Sequence, residues 1–254
     1  MKIKSSLLIY ISGKNIEFFL RILHEKLFFL NSRTFGFTSK GTFYDRQTLR
    51  IANLALSVDS DWIDAGAHIG GFSRKFKKIA PLGQGYSFEP IPSLSKIIKR
   101  RISEISVSQI ALSNFCGEKQ FEFIIDDPAN SALSHRPDRV KNRWVEEITV
   151  RVQRLDCYFQ NVEHNIGFIK IDVEGAEYEL LEGAENLIVR DRPIIVFETG
   201  NATLPKIYRW FEEIGYSVDF LSNFPTDEPY GKSEFLKTSS EKGEFYFVAY
   251  PKME

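Results

Sequence analysis

The sequence has few cysteines and almost no net charge. Its two cysteines, Cys116 and Cys157, match no metal-binding spacing and are too few for a disulfide framework. We therefore expect thiols that are buried or half-buried, in a reducing compartment. The formal net charge is −1 over 254 residues, so composition gives no electrostatic case for a nucleic-acid partner.

Long apolar runs are also absent. The run at residues 7–11, behind Lys2 and Lys4, is too short for a signal-peptide core, and no small-residue cleavage site follows it. No stretch approaches the roughly 18 apolar residues of a membrane-spanning helix. We therefore expect a cytoplasmic protein without a transmembrane segment.

The N-terminal region is predicted to be a helical extension, residues 1–57. Within it, residues 15–30 carry apolar side chains at helical spacing. We interpret this segment as a helix that packs on the domain or on a second copy in a homodimer, with peripheral membrane contact as the alternative. A second helical pattern runs from residue 45 to 56.

Residues 58–254 are predicted to form one α/β domain, because strand and helix patterns alternate from residue 61 onward. The predicted strands are 61–65, 85–88, 105–110, 167–172, 193–198, 215–221 and 244–250. The predicted helices are 70–80, 93–102, 175–189 and 203–214. We expect a Rossmann-like, doubly wound, mainly parallel seven-stranded sheet. Without a convincing helix between them, the last two strands should form an antiparallel hairpin at its edge.

Residues 117–155 interrupt this alternation. Segments 121–125 and 148–153 have strand character, and a long polar stretch, 126–147, lies between them. Such an excursion within a compact domain is typical of a substrate lid. A flexible connector is the alternative interpretation.

The most informative segment, residues 61–90, has the pattern of a nucleotide-binding βαβ unit. A short apolar strand carries Asp64, a turn contains Gly66 and Gly70, and a helix leads to a second strand followed by Glu89. A carboxylate in that last position can accept hydrogen bonds from both vicinal hydroxyls of a ribose.

The details of the turn argue against a dinucleotide. The middle glycine of the pyrophosphate fingerprint is replaced by His68, and Asp64 would repel a pyrophosphate. A nicotinamide oxidoreductase is therefore disfavoured. The pattern favours a ligand with positive charge beside a ribose, such as S-adenosylmethionine. A glycine turn that binds no ligand is the alternative.

A second acidic cluster follows the strand at 167–172. Asp172 comes at its end, and Glu174 and Gly175 are predicted to open a helix whose dipole Glu177 complements. The next strand ends in Glu198. Four parallel strands would thus place Asp64, Glu89, Asp172 and Glu198 at one edge. Such a cluster is costly without cations, metals or hydroxyl-rich ligands, and it indicates a binding site.

Taken together, these segments resemble the FkbM type of class I S-adenosylmethionine-dependent methyltransferase. The resemblance covers about residues 60–200. It is carried by Asp64-Ala-Gly-Ala-His-Ile-Gly-Gly-Phe-Ser73, Phe88-Glu-Pro90, Ile110-Ala-Leu-Ser113 with Gly117, Leu155-Asp156, Ile169-Lys-Ile-Asp-Val-Glu-Gly-Ala-Glu177 and Glu182-Gly-Ala184.

The resemblance implies a cofactor site. Asp64 and Gly66 would approach the methionine part of the cofactor, and Glu89 would accept its ribose hydroxyls. Gly70 is a further cofactor-binding residue of the same turn. The segment containing Gln109, Ala111 and Leu112 would border the adenine. His68 departs from the asparagine common in this turn, although its imidazole can still donate a hydrogen bond.

The family resemblance also implies the reaction, since most members are O-methyltransferases of sugars or natural products. We expect methyl transfer to a sugar hydroxyl of a carbohydrate, a glycolipid precursor or a glycosylated natural product, as in polysaccharide biosynthesis. The alternative is a non-catalytic binding module, which would have no need of both Asp64 and Glu89.

A sugar hydroxyl requires activation, so a general base or a metal is expected. Asp172, Glu174 and Glu198 are the candidate bases or hydroxyl-binding groups, and His135 is an alternative if the polar stretch closes as a lid. Asp172 with Glu198 could hold a divalent cation, but no spacing in the sequence requires one.

Overall fold

The computed structural model describes residues 40–124, 131–133, 144–161, 165–222, 224 and 230–252. Residues Tyr44–Glu254 form one compact unit, and Met1–Phe43 fall into another. The predicted helix at 15–30 and His135 lie outside the described residues. The predicted domain division at residues 57 and 58 stays a prediction.

Helices and strands alternate along the described chain. The helices are α1 Lys40–Ala55, α2 Gly71–Ile79, α3 Pro92–Arg101, α4 Leu155–Tyr158, α5 Glu177–Glu182, α6 Glu185–Asp191, α7 Leu204–Glu213 and α8 Lys232–Lys242. The strands are β1 Asp61–Ala65, β2 Gly85–Phe88, β3 Ser106–Ser108, β4 Ala111–Leu112, β5 Gly117–Ile124, β6 Val145–Gln153, β7 Ile166–Ile171, β8 Ile194–Glu198, β9 Tyr216–Phe220 and β10 Tyr246–Pro251.

The main sheet has seven strands in the order β3-β2-β1-β7-β8-β10-β9. Strands β3, β2, β1, β7 and β8 are parallel, and β10 pairs antiparallel with both β8 and β9. This confirms the predicted α/β fold with an antiparallel last strand. The order reverses between β1 and β7, which creates a topological switch point where open sheets of this type bind ligands.

Both faces of the main sheet are covered, which explains the near-continuous apolar character of its central strands. Ile63, Ile169 and Ile195 are side by side in register and fully buried in the largest apolar cluster. Trp62 and Phe168 alternate with them and pack edge-to-face on Phe76 of α2, at 5.5 and 5.1 Å between ring centroids.

A second sheet, β4-β6-β5, accounts for the interruption at residues 117–155. Both predicted strands are present and longer than expected, because β5 and β6 pair over their whole length from Gly117 to Ile124. Ala132, from the polar stretch, bridges to Glu122 of β5, with backbone N–H to O distances of 2.9 and 3.1 Å. The predicted lid stays a prediction, since much of that stretch lies outside the described residues.

The predicted helix 175–189 is wrong as a single helix, because it divides into α5 and α6 at Gly183. The Ser113 carbonyl approaches so closely that a Cβ on Gly183 would lie 2.1 Å from its oxygen. The Gly183 carbonyl accepts a hydrogen bond from the Asp156 N–H at 2.9 Å, and the Asp156 carboxylate accepts the Leu187 N–H of α6 at 3.0 Å. Tertiary contacts therefore override the apolar periodicity here.

The last two strands pair antiparallel at the edge of the sheet, as predicted, but they do not form a hairpin because α8 connects β9 to β10. This helix has a weak apolar pattern and is anchored by one fully buried apolar side chain, Phe235. Phe235 stacks on Phe220 with ring centroids 4.5 Å apart. A single anchor of this kind gives little periodic signal in a sequence.

The cysteines are free, and Cys116 is exposed, contrary to the expected buried thiol. Its thiol is hydrogen-bonded to that of Cys157, although the two are distant in sequence. Within the described residues, no helix is both long and apolar enough to cross a membrane.

The close approach at Gly183 leads to a test of the break between α5 and α6. Gly183→Ala should lower the free energy of unfolding by about 2–3 kcal/mol, because the added methyl collides with the Ser113 backbone. Urea denaturation measures this. Gly71→Ala is the matched control, since nothing lies within 4 Å of its Cβ position. Equal stability of the two variants would contradict the tertiary origin of the break.

Candidate active site

The candidate site lies at the C-terminal edge of the parallel strands. Asp64 is in β1, Glu89 follows β2, Asp172 follows β7, and Glu198 ends β8. Because these strands are neighbours in the order β2-β1-β7-β8, their ends carry all four carboxylates along one edge of the sheet. The switch point between β1 and β7 lies at the middle of this edge.

The turn after β1 is built from left-handed backbone. Gly66, His68 and Gly70 have φ of 73°, 50° and 78°. At Gly66 the requirement for glycine is also steric, since a Cβ there would lie 1.7 Å from the Asp172 carbonyl oxygen. Histidine tolerates this conformation better than most residues, as asparagine does, which accounts for its presence at position 68.

Gly70 has a packing role in this turn. It is buried, and its Cβ position lies 3.2 Å from both Ile98 and Ile102 of the α3 region. The structure therefore places Gly70 where the turn meets α3. Its predicted contact with a cofactor stays a prediction.

Glu89 is buried and receives two backbone hydrogen bonds. The His68 N–H donates to Oε2 at 2.8 Å, and the Ile91 N–H donates to Oε1 at 2.9 Å. Burial nevertheless raises the pKa of Glu89 to about 8, against the opposing effect of these two donors. Each oxygen keeps a further lone pair that could accept a hydroxyl group.

Gln109 lies close to Glu89 in the chain path. The Glu89 N–H donates to the Ser108 carbonyl at 3.1 Å, and the next residue, Gln109, is exposed. The predicted contact of Gln109 with an adenine stays a prediction. Ala111 and Leu112 are different, because they are buried in β4 of the second sheet. Their predicted role at the adenine stays a prediction.

Lys170 is the main site residue that sequence reasoning missed. Its ammonium lies 3.2 Å from Asp172 Oδ2 and 3.5 Å from Asp64 Oδ1, and it donates to the Gly66 carbonyl at 3.2 Å. It also lies 5.3 Å from the centre of the Phe72 ring. Burial alone would lower the pKa of Lys170, but Asp172 and Asp64 raise it above its usual value.

The cation needed by the acidic edge is thus supplied by the chain itself. In the sequence, Lys170 only interrupts a buried strand. Its position was nevertheless a signal, because a lysine within a buried parallel strand requires a carboxylate partner. The register of β1 with β7 supplies that partner by pairing Asp64 with Lys170.

Asp64 lies beneath the turn and is fully buried. The Ser73 hydroxyl donates to its Oδ2, and Ser87 donates in turn to Ser73 at 2.8 Å. Its Oδ1 is within ion-pair distance of Lys170 but accepts no hydrogen bond from the described residues. Because Asp64 has no exposed surface, its contacts are with the protein itself, and its predicted contact with a cofactor stays a prediction.

A cavity of about 330 Å³ adjoins the ends of β7 and β8. Its described lining consists of Asp172, Glu174, Gly175, Glu177, Glu198, Thr199, Gly200, Ala202, Thr203 and Phe245. The lining brings together the three predicted catalytic carboxylates, and no Lys, Arg or His is among these residues. The formal charge of the described lining is therefore negative.

Glu174 and Gly175 lie in a turn before the helix, which corrects the prediction that they open it. Their φ values are 55° and 99°, and α5 begins at Glu177. Glu177 is buried, and its Oε1 accepts the Gly175 N–H at 2.7 Å. Glu177 therefore holds the turn closed, besides lying in the first turn of the helix.

The environments of Asp172 and Glu198 differ, although both line the cavity. Asp172 is ion-paired with Lys170, and about one third of its side chain is exposed. Burial, reinforced by the negative charge of Asp172, raises the pKa of Glu198 to about 7. A hydrogen bond from Tyr246 and the charge of Lys170 act in the opposite direction.

Helix α1 also reaches this site, through Asp45. Burial raises the pKa of Asp45, Lys75 and Lys170 oppose that effect, and Asp172 adds to it. Asp45 is therefore within electrostatic range of the Lys170 pair. Nothing in the sequence connects α1 with the acidic edge, because this proximity depends on tertiary packing.

The donor set fits S-adenosylmethionine better than a resident metal. The left-handed turn after β1 and the spare lone pairs of the Glu89 carboxylate suit an adenosyl ligand. Among the described residues, no group of three or more His, Cys, Asp or Glu is placed to hold a metal ion.

The role of Lys170 can be tested by removing its charge. Lys170→Met should lower the free energy of unfolding by about 3–5 kcal/mol, because Asp64 would remain buried without a counter-charge. Urea denaturation at neutral pH measures the loss. Lys237→Met, which breaks an exposed pair with Glu241, is the matched control and should change stability little. A similarly small effect at Lys170 would contradict its assigned role.

Known proteins include relatives of this chain. The family model described as "Methyltransferase FkbM domain" matches residues 64–218, which include all four edge carboxylates. A solved structure of methyltransferase FkbM from Methylobacillus flagellatus KT is 16% identical with a TM-score of 0.49. That match covers 77% of this chain and 44% of the other.

Three curated relatives are methyltransferases by name. Methyltransferase sdnD of Sordaria araneosa is 27% identical, over 61% of this chain and 73% of its own. Methyltransferase 1 of Beauveria bassiana is 26% identical, over 50% of this chain and 59% of its own. 2-O-methyltransferase NoeI of Sinorhizobium fredii is 24% identical, over 56% of this chain and 65% of its own. The match therefore spans less than two thirds of the length of the last two relatives. With a family model matching more than half of its length, this chain belongs to the FkbM methyltransferase family.

Proposed function

We propose that this protein transfers a methyl group from S-adenosylmethionine to a sugar hydroxyl of a carbohydrate, a glycolipid precursor or a glycosylated natural product. One observation carries the proposal. Asp172 and Glu198 line the same cavity, but only Asp172 is paired with Lys170, whereas the pKa of Glu198 is raised to about 7. Carboxylates in such different environments suit different roles in one reaction.

The cofactor side of the proposal rests on the turn and Glu89. S-adenosylmethionine, when bound, supplies an electrophilic methyl group on a positively charged sulfur. Glu89 would accept the ribose hydroxyls through the lone pairs left by its two backbone donors. The turn at Gly66 and His68 would border the methionine part, next to the ends of β1 and β7.

On the acceptor side, Glu198 would take the proton of the reacting hydroxyl. A group with pKa near 7 is well matched to this task at neutral pH. Asp172, held by Lys170, would accept a hydrogen bond from the acceptor and fix its orientation. Glu174 lines the same cavity and is assigned to hydroxyl binding.

The charge of the cavity supports a neutral acceptor. Four carboxylates and no basic side chain occur among its described lining residues, so a phosphate or carboxylate on the acceptor would be repelled. An uncharged sugar presents only hydroxyl donors to these acceptors. The name of the NoeI relative, a 2-O-methyltransferase, is consistent with transfer to oxygen.

A titration and a turnover assay test the function. The protein should bind S-adenosylmethionine and S-adenosylhomocysteine in calorimetry, and transfer labelled methyl groups to a member of a panel of methyl glycosides. Glu198→Gln should keep cofactor affinity but lower turnover at least 100-fold, because the base is lost. Glu234→Gln, on the exposed side of α8, is the control and should leave both unchanged.

Two outcomes would contradict this proposal. If neither cofactor form binds to the folded protein, the methyltransferase fold serves as a non-catalytic binding module. If Glu198→Gln transfers methyl groups as fast as the unmodified protein, Glu198 is not the base.

The buried state of Glu89 predicts a pH dependence of nucleoside binding. Hydroxyl donors favour the ionised carboxylate, so below its pKa of about 8 binding must release a proton. Adenosine affinity should therefore fall roughly tenfold for each pH unit below 8 and level off above it. Adenosine is the right probe because it has a ribose but no titrating amine near neutral pH.

Calorimetry between pH 6 and 9 measures this dependence, and buffers of different ionisation enthalpy count the released protons. Glu89→Gln is the control, since an amide does not titrate in this range. A flat affinity profile in the unmodified protein would place the ribose away from Glu89.

A further inference from the structure

Tyr246 holds the carboxylate of Glu198 from the neighbouring strand. The two residues are opposite each other where β8 pairs with β10, and the tyrosine hydroxyl donates a hydrogen bond to the carboxylate. Tyr246 belongs to β10, which borders β8 on the side opposite to β7. It therefore lies on the side of Glu198 away from Asp172 and β7.

The ring of Tyr246 is fixed in turn by helix α1. Tyr44 stacks on it with ring centroids 4.4 Å apart and an angle of 21° between the planes. The Tyr44 hydroxyl donates to the carboxylate of Glu244, two residues before Tyr246. The stack holds the Tyr44 ring against Tyr246, the first residue of β10, and the hydrogen bond holds the Tyr44 hydroxyl at Glu244, just before that strand.

The groups that act on Glu198 come from three parts of the fold: β7 with the turn that follows it, α5 and β10. Asp172 and Glu177 add negative charge, Lys170 adds positive charge, and Tyr246 is the uncharged donor. Asp45 of α1 acts on Tyr246. Burial, and then the charge of Glu198, raise the pKa of Tyr246 above its usual value, so its hydroxyl keeps its proton at neutral pH.

We propose that Tyr246 is a positioning residue for Glu198, and that Tyr44 holds the Tyr246 ring in place. Helix α1 then takes part in setting the basicity of the acceptor-side carboxylate. The catalytic meaning of this inference rests on the proposed function, whereas the hydrogen bond and its effect on Glu198 do not. If the aromatic pair only packed the sheet edge, the Tyr246 hydroxyl would have no effect on the titration of Glu198.

The decisive experiment is a carboxyl-carbon NMR titration of Glu198 in the full chain, with the signal assigned by its loss in Glu198→Gln. Tyr246→Phe keeps the ring and the stack but removes the donor. The pKa of Glu198 should rise by about one unit in this variant, because a hydrogen bond to the charged form is lost. Tyr250→Phe is the matched control on the same strand and should leave the titration unchanged.

Two further variants separate the ring of Tyr44 from its hydroxyl. Tyr44→Phe keeps the stack and should leave the pKa of Glu198 as it is. Tyr44→Leu removes the stack and should raise the pKa of Glu198, as Tyr246→Phe does. This pair also carries the test if Tyr246→Phe does not fold, which circular dichroism would reveal.

Once an acceptor is known, the pH profile of kcat/KM can be measured. In Tyr246→Phe its acid limb should move to higher pH by as much as the pKa of Glu198 rises, and activity should recover at alkaline pH. An unchanged Glu198 titration in folded Tyr246→Phe would overturn the inference. So would a loss of activity that is equal at every pH. These outcomes differ from failure of the proposed function, which would appear as absence of cofactor binding in the unmodified protein.

Discussion

The buried ion pairs of Lys170 are the interaction on which the rest of the site depends. A lysine inside a parallel sheet is unfavourable by itself, and so is a fully buried Asp64. Each is tolerated because the other is present, with Asp172 and the Gly66 carbonyl completing the surroundings of the ammonium. The same three contacts join β1, β7 and the glycine turn, so the charge balance and the shape of the switch point have a common origin.

This charge balance also gives Asp172 and Glu198 different environments. One ammonium lies between Asp64 and Asp172, and Glu198 lies one strand further along the sheet. Burial raises the pKa of Glu198, and the charge of Asp172 adds to that rise more than the charge of Lys170 opposes it. Under the proposed function, the separation of an orienting anion from a base follows from the burial of Glu198 together with the position of Lys170 in the strand order. No metal is needed to create that difference.

Most strands and the acidic edge were predictable from the sequence, because each acid follows or ends an apolar run of strand length. The partners of these acids were not, since Lys170 meets Asp64 only through the pairing of β1 with β7. Gly66 illustrates the same limit. The family resemblance placed Gly66 beside a cofactor, whereas the structure shows that the Asp172 backbone is what approaches Gly66. Likewise, the contribution of Asp45 depends on where α1 packs.

Glu89 has two roles in the turn that the sequence could not separate. Its carboxylate accepts the N–H of His68, a non-glycine residue in left-handed conformation, and thereby stabilises a backbone state that costs of order 1 kcal/mol. The proposed ribose ligand would use the remaining lone pairs of the same oxygens. The turn and the ribose site are therefore organised by one buried group, so that cofactor binding requires no new backbone arrangement at His68. A change at Glu89 should accordingly affect both the conformation of the turn and the affinity for the nucleoside, and these two effects are expected to be inseparable in any single variant.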